Sequence, residues 1–254
     1  MKKLIICEDV VKSYGERDEK RNVLDSVSVT IPQGEFVAVM GPSGSGKSTL
    51  MFALSGMDVV DSGQVIFDGV ALSTLGENEL ADMRRKSMGF VFQQPTLLKN
   101  LNILDNIILP SMRDHRQNGV QIAEKASMLM EKTGIAGLEN RDITQASGGQ
   151  LQRVGICRAL MSDPKVIFGD EPTGALNSRS ANEILDLLAE IHRSGTTIVL
   201  VTHDIKVAAK AERVLFLVDG KIAGEYVTGR YEKHGAGLSD REDRLTAWLA
   251  DMKF

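Results

Sequence analysis

Residues 41–49 read Gly41-Pro42-Ser43-Gly44-Ser45-Gly46-Lys47-Ser48-Thr49 and contain the pattern G-x-x-x-x-G-K-[ST]. They follow directly on the apolar run Phe36-Val37-Ala38-Val39-Met40. This spacing is that of a phosphate cradle. Backbone N–H groups of residues 43–48 would point inward at phosphate oxygens, and the N-terminus of the helix that follows would add partial positive charge. The glycines let the backbone come close. Lys47 would reach β- and γ-phosphate oxygens, and the Ser48 hydroxyl would hold Mg²⁺. The pattern arises by chance in on the order of one chain of this length per hundred, so it needs companions.

A second set of chemical groups lies at Val166-Ile167-Phe168-Gly169-Asp170-Glu171, where an apolar strand delivers two adjacent carboxylates at its carboxyl end. Open α/β sheets bind ligands at that edge. Asp170 is placed to reach Mg²⁺, directly or through water, and Glu171 to polarise a water that attacks the γ-phosphorus. Asp-Glu before Pro172 is also the composition of a solvated turn, and the phosphate cradle weighs against that plainer reading.

The elements that must carry these groups are legible around them. Val27-Ser28-Val29-Thr30-Ile31 alternates as a half-buried strand, and residues 48–56 carry Leu50, Phe52, Ala53 and Leu54 as a helix under the glycine loop. A strand over residues 64–67 ends at Asp68-Gly69, a tight-turn pair. From about residue 73 to 160 the spacing becomes helical, which reads as an insertion. Strand signals resume at 165–170 and 197–201 with a helix at 181–194 between them, and a hairpin over 214–226 turns at Asp219-Gly220. Strands alternating with helices around a glycine loop predict a largely parallel sheet covered on both faces.

Bulk properties narrow the function. The chain has 254 residues and a formal net charge of -4 with interspersed signs, so no basic field favours nucleic acid. No run approaches the roughly 18 apolar residues of a membrane span, and charges interrupt the N-terminus before a signal-peptide core develops. These features predict a cytosolic chain. Cys7 and Cys157 lack CxxC spacing and read as small buried apolar residues.

Between the two chemical sets lies Ala146-Ser147-Gly148-Gly149-Gln150, followed by a helical segment from Leu151 to Leu160. With this stretch the sequence resembles an ATP-binding-cassette (ABC) ATPase, and residues 3 to about 227 match that family's order of motifs. The glycine loop resembles its Walker A, Gln93 its Q-loop glutamine, residues 146–150 its signature, residues 166–171 its Walker B and His203 its switch histidine. Tyr14 resembles the aromatic that stacks on adenine; as a lone tyrosine it reads equally as a packing residue. The resemblance implies an α/β fold, a P-loop NTPase cassette with a mostly parallel core sheet, an antiparallel β subdomain and a helical insertion. It divides the chain into an ATPase domain over 1–227, with its helical subdomain at about 73–160, and a linker and amphipathic tail helix over 228–254.

The resemblance also implies ATP and Mg²⁺ as cofactors, with Glu171, His203 and Gln93 catalytic and Ser48, Gln93 and Asp170 around the metal. Nucleotide would lie on Tyr14, residues 41–49 and, from a second copy, Ser147, Gly148, Gly149 and Gln150. A Ser-Gly-Gly at a helix N-terminus is a second anion site, made of a hydroxyl and N–H groups. The first is already complete on this chain, which suits the arrangement that the resemblance implies, with two chains sandwiching two nucleotides. His203 would hydrogen-bond the γ-phosphate, or serve structure alone. Gln93 offers an amide to Mg²⁺ and the attacking water, and Gln94 offers the same amide one position on. Two positions depart from the family pattern: Ala146 stands where Leu is usual, with an expected cost in packing, and Asn177 where Asp is common, which bears on communication between subunits.

Within the family the sequence is most similar to short cassettes paired with machines of the lipoprotein-releasing, macrolide-efflux and antimicrobial-peptide type, on Val91-Phe92-Gln93, Leu97-Leu98, Leu109-Pro110 and residues 170–176. The expected role is to drive a separate membrane permease that exports or extracts a peptide, lipid or antimicrobial compound, with the cassette held at the inner face of the membrane. A signalling or mechanical complex that moves no substrate is the alternative. A soluble repair or ribosomal ATPase fits less well, because such chains commonly carry two cassettes or long coiled insertions. The leucines at 97 and 98, in a segment that reads as loop, are expected to line a groove for a short permease helix, and each reads equally as a core residue of the insertion.

Overall fold

The computed structural model describes residues 2–15, 20–112, 119–231 and 237–252. Residues 232–236 of the expected linker, and Lys253 and Phe254 of the expected tail, lie outside the described residues. The chain forms two compact units, Met1–Ala81 with His192–Phe254, and Asp82–Ile191.

In the first unit, β1 (Lys3–Tyr14) pairs antiparallel with β2 (Arg21–Pro32). The alternation read in the sequence turns Leu24, Val27, Val29 and Ile31 of β2 inward. Strand β3 (Phe36–Met40) is buried at every position. A strand covered on both faces needs an unbroken apolar run, and this one supplies it. On the other edge of β1 lies β4 (Ser62–Phe67), which turns back into β5 (Val70–Ala71). The turn residues Asp68 and Gly69 have φ of 49° and 85°, the left-handed pair that a two-residue hairpin requires. Strand β3 pairs in parallel with β8 (Thr197–Val201) and β9 (Arg213–Val218), and β10 (Lys221–Val227) returns antiparallel along β9. Helix α1 (Lys47–Leu54) follows β3 and α7 (Ile205–Ala208) follows β8.

The tail forms α8 (Leu238–Asp251), with Leu245 and Leu249 buried against the first unit. Trp248 meets Phe216 edge-on at 6.1 Å and stacks on Tyr226 at 5.3 Å. Arg241 donates to the carbonyls of Ala209, Ala211, Thr228 and Gly229 at 2.6 to 2.9 Å. This helix is docked by its apolar stripe and by one arginine that satisfies carbonyls just past the ends of α7 and β10.

Helix α2 (Glu77–Ser87) leads into the second unit, where β6 (Met88–Phe92) pairs in parallel with β7 (Val166–Asp170). The helical spacing of residues 73–160 predicts no strand there, and β6 departs from it. Five residues are too few to show a period, and their state is decided by a partner strand more than seventy residues away in sequence. Among the described residues the rest of the insertion carries the helices α3 (Ile103–Ile108), α4 (Gly119–Lys132) and α5 (Gly148–Leu160) joined by loops. Ile103, Ile107, Ile122, Ala126, Met130, Val154 and Cys157 from these helices share one core. Helix α6 (Ser178–Arg193) follows β7. Both cysteines are free and buried, as their sequence context predicts.

Candidate active site

In the first unit the phosphate-loop residues connect β3 to α1. Gly41 has φ of 151°, and a Cβ there would stand 2.0 Å from the Leu217 carbonyl oxygen. Gly46 has φ of 99°, and its Cβ would meet the Val23 carbonyl oxygen at 2.5 Å. Side chains are excluded at both ends of the loop by neighbouring backbone, which is the physical reason for the two fixed glycines of the pattern. Further support comes from the Gly220 N–H, which donates to the Ser45 carbonyl at 3.1 Å. The Lys47 ammonium donates to the carbonyls of Gly41 and Pro42 at 2.9 and 2.7 Å, so the cation spans the mouth of the loop. Pro42, Ser43 and Gly44 are exposed, while Ser48 and Thr49 are half-buried on the first turn of α1.

Strand register brings His203 to the same edge. Val39 is level with Val201, and the Thr202 N–H donates to the Val39 carbonyl at 3.1 Å. The chain therefore leaves β8 at His203 beside the point where it leaves β3 at Gly41. His203 is exposed, and Asp204 caps the next helix by accepting from the Lys206 N–H at 2.8 Å. Tyr14, at the end of β1, has its ring half exposed and its hydroxyl donating to Asp58.

The second unit holds the other chemical groups. Phe92 is level with Asp170 in the parallel pair, so the next residues, Gln93 and Glu171, leave neighbouring strand ends together. A Cβ on Gly174 would stand 2.9 Å from Gln93 Nε2 and 3.3 Å from Glu171 Oε2, so the amide and the carboxylate converge on one point. Glu171 itself has φ of 47°, left-handed for a residue with a Cβ, and the Gly174 N–H donates to its carbonyl at 3.0 Å. Such a conformation costs on the order of 1 kcal/mol and turns the side chain away from the strand direction.

Helix α5 begins with a reciprocal cap. The Ser147 hydroxyl accepts from the Gln150 N–H at 3.3 Å, and the Gln150 side chain accepts from the Ser147 N–H at 2.8 Å. Ser147 and Gly148 are exposed at the positive end of the helix dipole, with Gly149 and Gln150 half-buried. Ala146 packs partly against the helical core, so its departure from the family pattern falls on packing and leaves the cap formed.

Two residues of α5 had no signal in the sequence. Gln152, buried, donates to the Phe92 carbonyl at 2.9 Å, and Arg158 donates to the Thr96 carbonyl at 2.7 Å. They hold the segment that carries Gln93 at both ends. Only long-range contact identifies them, since Gln and Arg on a helix otherwise read as a solvated face.

Among the described residues no three or more His, Cys, Asp or Glu side chains group as a metal cage. Ser48 in the first unit carries an oxygen of the kind a hard cation such as Mg²⁺ takes, and so, in the second unit, do Gln93 and Asp170.

The family model for the ABC transporter matches residues 24–174, from β2 to just past Glu171 and more than half of the chain. The chain belongs to the ABC transporter ATP-binding family. It is thus a P-loop ATPase cassette, and the solved structures agree on fold. The dimeric ATP-binding cassette MJ0796, in a post-hydrolysis state bound to ADP and Pi, is 37% identical with a TM-score of 0.83, over 90% of this chain and 100% of that one. A second dimeric structure of MJ0796, described as a bacterial ABC transporter cassette, matches at 38% identity with the same TM-score of 0.83 and the same coverage of both chains, 90% and 100%. Among curated proteins, the macrolide export ATP-binding/permease protein MacB of Escherichia coli is 44% identical over 230 residues, 89% of this chain and 35% of that protein. MacB of Hyphomonas neptunium is 45% identical over 225 residues, 87% of this chain and 34% of its own length. The cassette spans about a third of the length of these relatives.

Proposed function

We propose that this cassette binds ATP·Mg²⁺, closes as a homodimer around two nucleotides and uses their hydrolysis to drive a membrane permease that exports or extracts a peptide, lipid or antimicrobial compound. The observation that carries the hydrolytic part is the convergence of Gln93 Nε2 and Glu171 Oε2 beside Gly174. An amide and a carboxylate at one point can orient and polarise a water, the carboxylate as base and the amide as donor to an oxygen. Asp170, level with Phe92, and Ser48 would supply protein oxygens to Mg²⁺, and the metal would supply Lewis-acid stabilisation of phosphate charge.

The sandwich follows from the two anion-binding ends of one chain. Residues 41–49 would take the phosphates of one ATP, and the cap of Ser147, Gly148, Gly149 and Gln150, exposed at its first two residues, suits the γ-phosphate of a nucleotide held by another copy. The dimeric MJ0796 relative supports this reading, as do the export names of the MacB relatives for the transport part. No helix among the described residues is long and apolar enough to cross a membrane. In this reading the cassette is held at the inner membrane face by the permease. If two copies build each site, ATP turnover per chain should rise with chain concentration before it saturates. A rate per chain that is constant down to the lowest measurable concentration contradicts the sandwich.

A further inference from the structure

The Tyr14 side chain is held by groups that no sequence motif marks. Its hydroxyl donates to Asp58, which lies in the connection from α1 to β4. The other carboxylate oxygen of Asp58 accepts from the Lys12 ammonium at 2.6 Å, and Lys12 also donates to the Val59 carbonyl at 2.7 Å. The same ammonium stands 5.1 Å from the centre of the Tyr14 ring, a cation over one face. Asp61 completes the frame, accepting from the Ser13 N–H at 2.8 Å and so fixing the backbone just before the tyrosine.

The electrostatics agree with a built arrangement. Burial works to raise the Asp58 carboxyl, but the hydrogen bonds from Lys12 and Tyr14 outweigh it and hold the group below its ordinary value. The Tyr14 phenol is pushed up, first by desolvation and then by the Asp58 carboxylate that accepts its proton, while the Thr49 hydroxyl acts in the opposite sense. Thr49 lies on the first turn of α1, two residues after Lys47. The ring is nonetheless 47% exposed. Packing does not explain why an exposed ring is held by two side chains, Asp58 and Lys12.

We propose that Asp58, braced by Lys12, is a positioning residue for the nucleotide base, tethering the Tyr14 hydroxyl so that the ring stands ready with one face turned to adenine. The inference rests on the reading of Tyr14 as the adenine platform and names what holds that platform still. An untethered exposed tyrosine would have to give up its rotamer freedom when the base arrives. Removing the tether should therefore weaken base binding about two- to tenfold without touching the phosphates.

The test compares ATP with inorganic tripolyphosphate, which carries the phosphates and no base, on the whole chain with Mg²⁺. Tyr14→Phe deletes only an exposed hydroxyl and keeps the ring. It should weaken ATP about two- to tenfold, leave tripolyphosphate and the thermal midpoint unchanged, and make a further Asp58→Ala change silent for ATP affinity. Equal loss for both ligands would mark a structural role and overturn the tether. ATP binding at wild-type strength in Tyr14→Phe, with a loss in Tyr14→Ala, overturns the tether and leaves the platform standing. Unchanged ATP binding in Tyr14→Ala removes the platform and the tether together.

Discussion

A methyl group placed on Gly174 would lie 2.9 Å from Gln93 Nε2, closer than real Cβ contacts allow, and 3.3 Å from Glu171 Oε2. The neighbour that must give way is the far end of a flexible side chain, so the fold has little to lose and the chemistry has much. Gly174→Ala should keep its unfolding free energy within about 0.5 kcal/mol of wild type. Displacing the amide by about an ångström should lower turnover on the order of a hundredfold at most, with ATP affinity nearly unchanged. Steady-state ATPase and thermal denaturation measured side by side decide it. Wild-type turnover would separate Gln93 from the reacting water.

The two leucines expected to line a partner groove divide. Leu97 packs partly against the helical core, whereas Leu98 is 47% exposed. Asn106 clamps the loop, accepting from the Leu98 N–H at 2.7 Å and donating to the carbonyls of Leu98 and Leu101 at 3.0 and 3.1 Å. Leu97→Asp should cost about 1–3 kcal/mol of stability. Leu98→Asp should keep stability and basal ATPase and lose the co-expressed permease in a pull-down. Retention of the permease by Leu98→Asp would return this loop to an ordinary surface.

Burial pushes the Cys7 thiol up to about 12 and the Cys157 thiol up to about 11. Both remain protonated in the folded chain where an unfolded thiol, with a value near 9, ionises. Their contribution to stability is complete below pH 9 and is lost as pH rises from there toward 11 and 12. At pH 8 iodoacetamide should leave both thiols unmodified in the native chain and label both in denaturant. Mass spectrometry reads the outcome, and rapid native labelling of either would contradict its burial.

The phosphate loop, the carboxylate pair and the hairpin turns were legible because each depends on residues adjacent in sequence: the glycines of the loop, the Asp-Gly turns, the apolar run before Asp170. What escaped the sequence depends on contact at a distance. Strand β6 inside the helical insertion is set by β7, and the grip of Gln152 and Arg158 on the Gln93 segment crosses sixty or more residues. Asn177 shows both sides. Its departure from Asp was visible, and the structure gives it a local task, accepting from the Ser180 N–H at 2.9 Å at the start of α6. Asp accepts the same bond, so the change leaves this helix start intact.

The sandwich of two nucleotides between two copies is tested most directly by Glu171→Gln, which keeps the size of the side chain and removes the base. With ATP and Mg²⁺ this variant should elute from size-exclusion chromatography as a dimer that retains two nucleotides, with hydrolysis nearly abolished, and revert to monomer when Mg²⁺ is chelated. A variant that stays monomeric at high concentration with saturating ATP·Mg²⁺, or that hydrolyses at the wild-type rate, would contradict it.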